Sequence, residues 1–349
     1  MNRLSIQRIL SMSLILLAFW ACAALLSLNV GSVHIPAGIS FRILKAHLTG
    51  GAPAAVPLDS ILLSVRLPRV FLGSLVGAAL AAAGTAFQSL LRNPLADPYV
   101  LGVSTGASMG TILYSVILTS TGLSMSGSLL FGRPAAAFLG AALTVAAVYV
   151  VAGGGDRMGE GSQRLLLAGI VLASFISSIN VFLLTSTNQA DLRGIFYWLI
   201  GDLSRPVDAS IYVVAAIVLA GCFALFLCSH SLNLISMGEV DAMVLGIEVR
   251  RVKVVVYVIA SLITGAVVSV SGPIAYIGLI CPHLARMMFG GDNRLLFPTV
   301  FVFGAIFTLL ADTLARTVLS PAELPVGVIT ALCGAPLFVY LLRRRGGKP

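Results

Sequence analysis

The chain has 349 residues, of which 58% are hydrophobic and only 10% are charged, and its mean hydropathy is +1.02. Soluble domains carry about 25% charged residues, so this composition excludes a soluble fold and indicates a protein that buries its apolar surface in a bilayer. A formal net charge of +9 is compatible with nucleic-acid binding, but the basic residues follow a membrane-topology pattern, which argues against that role.

Long apolar stretches follow one another along the chain, and many are close to the twenty residues with which a helix crosses the hydrocarbon core. The runs are continuous rather than alternating, which argues against a membrane β-barrel. We therefore predict an all-α bundle of about ten spans in a single domain over residues 1–349. The second span is long enough to tilt, and the eighth is short and broken by Pro282. The spans are predicted at about 9–30, 61–91, 95–118, 132–152, 165–187, 209–228, 254–272, 275–289, 295–315 and 326–342.

The basic residues indicate the orientation of these spans. With the N-terminus in the cytoplasm, 14 of the 22 Lys and Arg residues fall on the cytoplasmic side. Basic loops are retained inside, so both termini are predicted to be cytoplasmic. The basic residues on the opposite side are Arg42, Lys45, Arg66, Arg69, Arg133, Arg193, Arg205 and Arg316.

Spaced glycines and prolines recur in the two halves of the chain. On the predicted topology the two copies start on opposite sides of the membrane, so spans 2–5 and 7–10 would form inverted repeats, a common transporter architecture. Glycines at four-residue spacing, such as Gly73 with Gly77 and the run Gly102, Gly106 and Gly110, also predict close helix packing. The repeated positions are Gly77-Ala78, Gly84, Pro94 and Gly102, which return at one constant offset as Gly265-Ala266, Gly272, Pro282 and Gly290.

The spans carry few groups that could energise transport. An ion-coupled transporter keeps ionisable side chains inside its spans, and here Asp312 is the clearest; a local ion pair with Arg316, four residues on, explains it as well as a functional role does. An ATP-driven pump needs the sequence G-x-x-x-x-G-K-[ST], which is absent from the chain. No catalytic group or metal-ligand spacing appears either. We predict a transport protein that is not an enzyme and depends on another polypeptide for energy.

The most polar cytoplasmic stretch, residues 229–253, lies between spans six and seven. Gly238 and Gly246 bracket a short helix in which Val240, Val244 and Ile247 fall near one face, while the acidic residues point elsewhere. Such a helix can seat an apolar face in a partner's groove, or it can lie on the membrane surface as an ordinary interfacial helix. In either case, Gly246 suits a turn with positive φ.

Three arginines stand at the outer ends of spans, against the topology bias. Arg66 and Arg69 lie at the mouth of span two, and Arg316 lies at the end of span nine. Exposed arginines there can pair with carboxylates of a soluble partner, and simple contact with lipid headgroups explains them equally well.

Several short sequence motifs occur together in a fixed order, and they make the chain recognisable. They are Arg66–Arg69, Gly77–Gly84, Asn93–Pro98 with Leu101–Ser104, Arg164–Gly169, Gly278–His283, Ala311-Asp312 and Glu323–Gly327. With these motifs the chain resembles the permease subunits of ABC importers for iron chelates, haem and vitamin B12, the ten-span or type II importers. The resemblance extends from about Leu26 to Leu342.

The resemblance implies roles for particular residues. Arg66, Arg69 and Arg316 would face acidic residues of a substrate-binding protein. Asn93, Leu95 and Ser162 would lie around the cytoplasmic gate, although the match at Ser162 is looser because relatives can carry a run of hydroxyl residues there. The element that enters the ATPase subunit would comprise Gly238, Glu239, Asp241, Ala242, Leu245 and Gly246.

The resemblance also implies a function and a set of partners. We expect a multi-pass permease of the cell inner membrane that pairs with a second copy, two ATPase subunits and a substrate-binding protein. Its cargo would be an iron chelate, a ferric siderophore, with vitamin B12 or haem as the alternative cargo. The chain itself would hold no cofactor or metal, since ATP and magnesium would bind the ATPase. An ion-coupled secondary transporter is the rival function.

Overall fold

The protein is described by a computed structural model that covers residues 6–50, 56–121, 132–153, 161–185, 189–204 and 210–346. These residues form helices and no strand, so the all-α fold is as predicted. The α-helices are α1 (Ile6–Asn29), α2 (Ala37–Thr49), α3 (Val56–Ser60), α4 (Leu67–Leu90), α5 (Val103–Thr121), α6 (Gly132–Val151), α7 (Gly161–Thr185), α8 (Gln189–Ile200), α9 (Ser210–Leu227), α10 (Ser229–Met237), α11 (Glu239–Val244), α12 (Val249–Ser271), α13 (Ile277–Phe289), α14 (Asn293–Ala315) and α15 (Val326–Gly346).

Within the described ranges, six helices are long and apolar enough to cross a membrane, so this is a multi-pass membrane protein. They are Pro57–Leu90, Gly132–Val151, Gln163–Thr185, Ser210–Leu227, Val249–Ser271 and Asn293–Ala315. Shorter apolar helices occupy the other predicted spans, at Leu14–Asn29, Val103–Leu118, Ile277–Phe289 and Val326–Tyr340. The count of ten spans stays a prediction.

The third predicted span begins later than expected. Residues 91–102 form turns and one 3-10 turn, Pro98–Leu101, and α5 starts only at Val103. Pro94 and Pro98 disfavour helical backbone in the residues before them, and the Asp97 carboxylate accepts a hydrogen bond from the Tyr99 N–H at 2.8 Å. Gly102, with φ of +76°, then turns the chain into α5. These residues are therefore a connector rather than the first turns of a span.

The predicted break at Pro282 is wrong, because α13 runs through this residue. Proline lacks an N–H and leaves the carbonyl four residues earlier, that of Gly278, without its helical partner. The amide of Gln88, on α4, reaches this site: its Nε2 lies 3.5 Å from the Gly278 oxygen and 3.2 Å from that of Leu279. A side chain from a neighbouring helix thus satisfies the backbone and lets the helix continue.

Glycines bring the central helices into contact, as their spacing predicts. A Cβ on Gly77 of α4 would lie 2.2 Å from the Gly304 oxygen of α14, and one on Gly84 would lie 1.8 Å from the Gly278 oxygen of α13. In the same way α5 packs on α6, where a Cβ on Gly110 would lie 2.0 Å from the Ala136 oxygen. Helix α4 is therefore buried along nearly its whole length at the centre of the bundle.

The helix contacts pair in a way that fits the proposed repeat. Helix α4 packs on α14 and α12 packs on α6, while α5 packs on α6 and α13 packs on α14. If α4 to α7 are matched in order with α12 to α15, the α4–α14 contact corresponds to the α12–α6 contact, and the α5–α6 contact corresponds to the α13–α14 contact. The local structure differs, however, since Gly84 lies within a helix whereas Gly272 ends one with φ of +67°. The inverted repeat remains a prediction.

Candidate functional site

The arginine cluster (Arg66, Arg69, Asp312, Arg316 and Glu323) lies where α4 begins and α14 ends. α3, a π-helical turn over Ile61–Arg66 and α4 follow one another without a break, so Arg66 and Arg69 stand about one turn apart. Arg316 caps the C-terminus of α14, four residues after Asp312. Packing of α4 on α14 brings these groups together.

Asp312 is the centre of this cluster. Arg69 donates to it through Nε, at 3.0 Å from Oδ1, and through Nη2, at 2.8 Å from the same oxygen. Arg316 lies 3.1 Å away on the other carboxylate oxygen, so the local ion pair expected from the sequence is confirmed. The third guanidinium nitrogen of Arg69, Nη1, donates to Glu323 at 2.7 Å.

The remaining donors bind the end of α1. Arg316 Nη2 donates to the Ser27 hydroxyl at 2.7 Å, and Arg66 Nη1 donates to the Leu28 carbonyl at 2.6 Å. The Arg66 Nη2 also donates to the Val33 carbonyl. Gly31 leaves room for both guanidinium groups, since a Cβ there would lie 2.9 Å from Arg66 Nη2. Three positive charges and two negative charges thus join α1, α4 and α14.

The three arginines are buried, whereas the docking prediction assumed that they are exposed at the outer surface. The exposed fractions of Arg66, Arg69 and Arg316 are 4%, 5% and 3%. Apart from the local Asp312–Arg316 pair, their partners lie far away along the chain, where periodicity could not reveal them: Arg69 and Asp312 are 243 residues apart. Glu323, with a side chain that is 35% exposed, is the most exposed member of the cluster.

The α11 loop (Gly238–Glu248) is built as a short helix held by its inner face. Ala242 is fully buried and forms a small core with Ile235 of α10 and Val249 of α12. The Glu239 carboxylate accepts a hydrogen bond from Lys253 of α12. Gly246 has φ of +85°, the positive value predicted, and it turns the chain back towards α12.

Large apolar side chains cover the outer face of this loop, which we call the α11 patch. Val240, Val244 and Leu245 are 66%, 82% and 63% exposed. Ile247, predicted on the same face, instead packs against the small core, because the turn at Gly246 rotates the chain before it. Asp241 is exposed beside the patch.

Helix α14 joins the two regions. At its start, Asn233 of α10 donates to the Asp292 carboxylate at 2.7 Å and accepts from the Asn293 N–H at 2.8 Å. At its end lies the arginine cluster, so its 23 residues separate the Asn233 contact, five residues before the α11 loop, from the cluster by about 35 Å. Burial alone would raise the pKa of Asp292, but hydrogen bonds from Arg294 and Asn233 outweigh it and lower the pKa below its usual value.

The residues predicted at a gate lie on two neighbouring elements. Asn93 and Leu95 belong to the connector after α4, where the Asn93 Oδ1 accepts from the Leu95 N–H at 2.9 Å and the Leu95 side chain is 40% exposed. The connector packs on α7 at Gly169, where a Cβ would lie 2.4 Å from the Val100 oxygen. Ser162 lies in the first turn of α7, about two turns before Gly169. Their gate role stays a prediction.

Sequence reasoning did not find two partners in these regions. Glu323 belongs to one of the recognised motifs, but its ion pair with Arg69 was not predicted. The ion pair between Glu239 and Lys253 was not predicted either. The signal for Glu323 was an acidic residue that follows α14 at the same end of the bundle as the unusual outer arginines. The chain offered no local signal for the second pair, which spans 14 residues and a turn.

Comparison with known proteins decides the family. The model of the FecCD transport family matches residues 16–344. The chain belongs to this family. Among FecCD-type relatives, the hemin transport system permease protein HmuU of Yersinia pestis is 37% identical, over 95% of this chain and 94% of the relative.

Further relatives carry other names. The Fe(3+) dicitrate transport system permease protein FecC of Escherichia coli is 37% identical, over 86% of this chain and 88% of the relative. The cobalamin import system permease protein BtuC of Halobacterium salinarum is 36% identical, over 86% of this chain and 77% of the relative. A solved structure described as an inward-facing ABC transporter of the metal-chelate type has a TM-score of 0.79 and 28% identity, and covers 96% of this chain and 99% of its own.

Proposed function

We propose that this FecCD-family permease imports an iron chelate across the cell inner membrane, as one of two copies that enclose the path. A substrate-binding protein delivers the cargo from outside, and two separate ATPase subunits, which hold ATP and magnesium, drive the cycle. Both termini lie in the cytoplasm in this proposal, as the distribution of basic residues predicts.

The α11 patch is the observation that carries the proposal. It exposes Val240, Val244 and Leu245 on a helix whose opposite face is anchored through Ala242 and the Glu239–Lys253 pair. An anchored helix with an apolar outer face can enter a partner's groove and transmit a force, whereas a loosely tethered loop would deform. We assign the ATPase contact to the exposed residues Val240, Asp241, Val244 and Leu245. Of the residues that the resemblance points to, Glu239 and Ala242 face inwards and anchor the helix, and Gly238 and Gly246 shape its two ends.

Helix α14 supplies the mechanical continuity that such coupling needs. It begins at the Asn233 contact beside the α11 loop and ends in the arginine cluster. In this proposal, a movement of α11 passes through α10, which packs on both α11 and α14, and then along α14 to the end where the binding protein would dock. The connector with Asn93 and Leu95, next to the start of α7 with Ser162, is the proposed cytoplasmic gate.

Docking of the binding protein at the arginine cluster requires a change of partners. Arg66, Arg69 and Arg316 are buried, and Arg69 is paired with the half-buried Glu323. We propose that acidic residues of the binding protein compete with Glu323 for Arg69, and that Arg66 and Arg316 then become accessible.

The choice of an iron chelate as cargo rests on the relatives. Those with hemin, Fe(3+) dicitrate and cobalamin in their names are similarly identical to this chain, and the neighbouring structure is described as of the metal-chelate type. Haem and vitamin B12 therefore stand as alternative cargoes. Ligand capture by the binding protein encoded with this permease would separate the three.

The test replaces residues of the α11 loop in nanodiscs that contain permease, ATPase and loaded binding protein. Gly246→Val forces a β-branched residue to φ of +85°, and Leu245→Asp puts a charge in the patch. Both variants should insert normally but lose stimulated ATP hydrolysis, with reduced capture of the ATPase in a pull-down.

The matched control is Gly291→Val, which places the same side chain at an exposed glycine without positive φ and with open space around it. It should behave as the wild type. Wild-type assembly and stimulated hydrolysis in both Gly246→Val and Leu245→Asp would contradict the coupling role.

A further inference from the structure

Helix α2 is the part of the fold that the proposed transport cycle does not use. It follows α1 after the short link Val30–Pro36 and is held against the end of that helix. The Ser40 hydroxyl donates to the Asn29 Oδ1 at 2.6 Å, and the Ile35 N–H donates to the Asn29 carbonyl at 3.0 Å. The apolar stretch of α1 ends at Asn29, so the predicted topology places α2 at the level where this stretch leaves the membrane.

Three stripes run along α2. Ser40 and Ile43, three residues apart, are buried, and Ile43 packs in a core with Ile35 and Leu62. A second stripe, Phe41 and Leu48, is seven residues apart on another face. These two side chains are 69% and 85% exposed, although both are large and apolar.

The third stripe is basic and lies beside the exposed apolar one. Arg42 and Lys45 are exposed and three residues apart, so they lie on one side of the helix. Within the part of the chain that the structure describes, no carboxylate pairs with either; Arg42 donates only to the Gly38 carbonyl of its own helix, at 3.4 Å. Sequence reasoning placed both residues on the side of the membrane where basic residues are less frequent.

We infer that α2 is an interfacial anchor: Phe41 and Leu48 insert among lipid chains, and Arg42 and Lys45 bind the phosphates of anionic lipid headgroups. Helices that lie in the interface combine an apolar stripe with flanking basic residues in this way. The binding surface suits the membrane better than a soluble partner because α2 is pinned at the end of α1, an apolar helix that is predicted to span the membrane. The anchor is independent of the cargo and of the ATPase.

The consequence of this anchor is that the arginine cluster keeps a fixed depth relative to the membrane surface. Helix α2 packs on α1 and on the core below the π-helical turn that ends at Arg66, and α1 accepts hydrogen bonds from Arg66 and Arg316. An anchored α2 therefore holds this end of the bundle at a constant depth.

The test measures depth with single nitroxide labels at Phe41→Cys and Leu48→Cys, in a variant whose five native cysteines are replaced by alanine. The protein is placed in nanodiscs of equal parts phosphatidylcholine and phosphatidylglycerol. Power saturation compares collisions with oxygen, which concentrates in lipid, with collisions with a nickel chelate, which stays in water. Leu14→Cys, at a position 66% exposed on α1, is the lipid reference. Glu248→Cys, where the side chain is 73% exposed, is the water reference.

Both α2 labels should resemble the Leu14 label. Labels that resemble the Glu248 label overturn the inference, and so do labels shielded from both reagents, which would mean that a second copy or another protein covers α2.

The headgroup contact is tested separately by native mass spectrometry of retained phosphatidylglycerol. The double variant Arg42→Gln/Lys45→Gln should weaken retention by about fivefold per charge removed. The control Arg251→Gln/Arg343→Gln removes the same charge from other exposed positions and should retain the lipid at α2. Equal losses in the two double variants would refute specific headgroup binding at α2.

Discussion

Replacing Asp312 by Asn should destabilise the protein strongly, because its carboxylate pairs with two buried arginines, Arg69 and Arg316. The side chains of Arg69, Asp312 and Arg316 are 6%, 2% and 4% exposed, so solvent screens their interactions little. Removing one partner of a buried ion pair costs about 3–5 kcal/mol. Asn keeps the shape and one acceptor oxygen, so we expect the lower end, about 3 kcal/mol.

The assay is reversible unfolding of the purified permease in mixed micelles, followed by circular dichroism. The control is Glu248→Gln, which removes a carboxylate 3.8 Å from Arg251 in a pair that is 77% and 73% exposed. It should change the free energy of unfolding by no more than about 1 kcal/mol, as exposed pairs do.

A double-mutant cycle sharpens the same prediction. Arg69→Met combined with Asp312→Asn should cost less than the sum of the two single changes, because the second change removes a charge that the first left unpaired. If Asp312→Asn unfolds like the wild type and the cycle is additive, the cluster does not hold the helices together and the electrostatic reasoning fails.

Three further predictions concern other regions. Gly77→Ala should destabilise the bundle by about 1–3 kcal/mol in the same unfolding assay, because its Cβ would lie 2.2 Å from the Gly304 oxygen. The control Gly194→Ala adds a methyl group where there is open space and should not destabilise the protein. Equal effects of the two changes would refute the close contact. Asp292 has a folded pKa below its unfolded value, so its stabilising contribution is present above the unfolded pKa and is lost as the pH falls through the folded pKa. Asp292→Asn should remove this acid-side loss of stability, and an unchanged profile would count against the Asn233 and Arg294 contacts. Glu323→Gln should free Arg69 for the binding protein and raise the affinity of the permease for the binding protein by up to about fivefold. The affinity is measured as binding of the binding protein to permease in immobilised nanodiscs. Weaker binding would mean that Glu323 is itself part of the docking surface.

Local properties of the chain determined the parts of the fold that depend on short segments. Composition and run length placed the spans, because each helix satisfies its own backbone and only its side chains meet lipid. Glycines at four-residue spacing predicted the close contacts of α4 and α5, and Gly246 predicted a positive φ, because both follow from the missing Cβ. The predicted break at Pro282 was wrong because the rule that proline interrupts a helix considers only neighbouring residues. The side-chain amide that binds the unpaired carbonyl of this helix comes from Gln88 on α4.

The candidate sites depended on the tertiary structure. Local reasoning placed Arg66, Arg69 and Arg316 at one end of the bundle but expected them to be exposed. Whether a charge is buried depends on the groups that fold against it, and here the partners of Arg69 come from α14 and the segment after it, more than two hundred residues along the chain. In the α11 loop, too, the bracketed helix was foreseen from Gly238 and Gly246. Only packing against α10 and α12 decided which side chains, Val240, Val244 and Leu245, would remain exposed and which, Ala242 and Ile247, would face inwards.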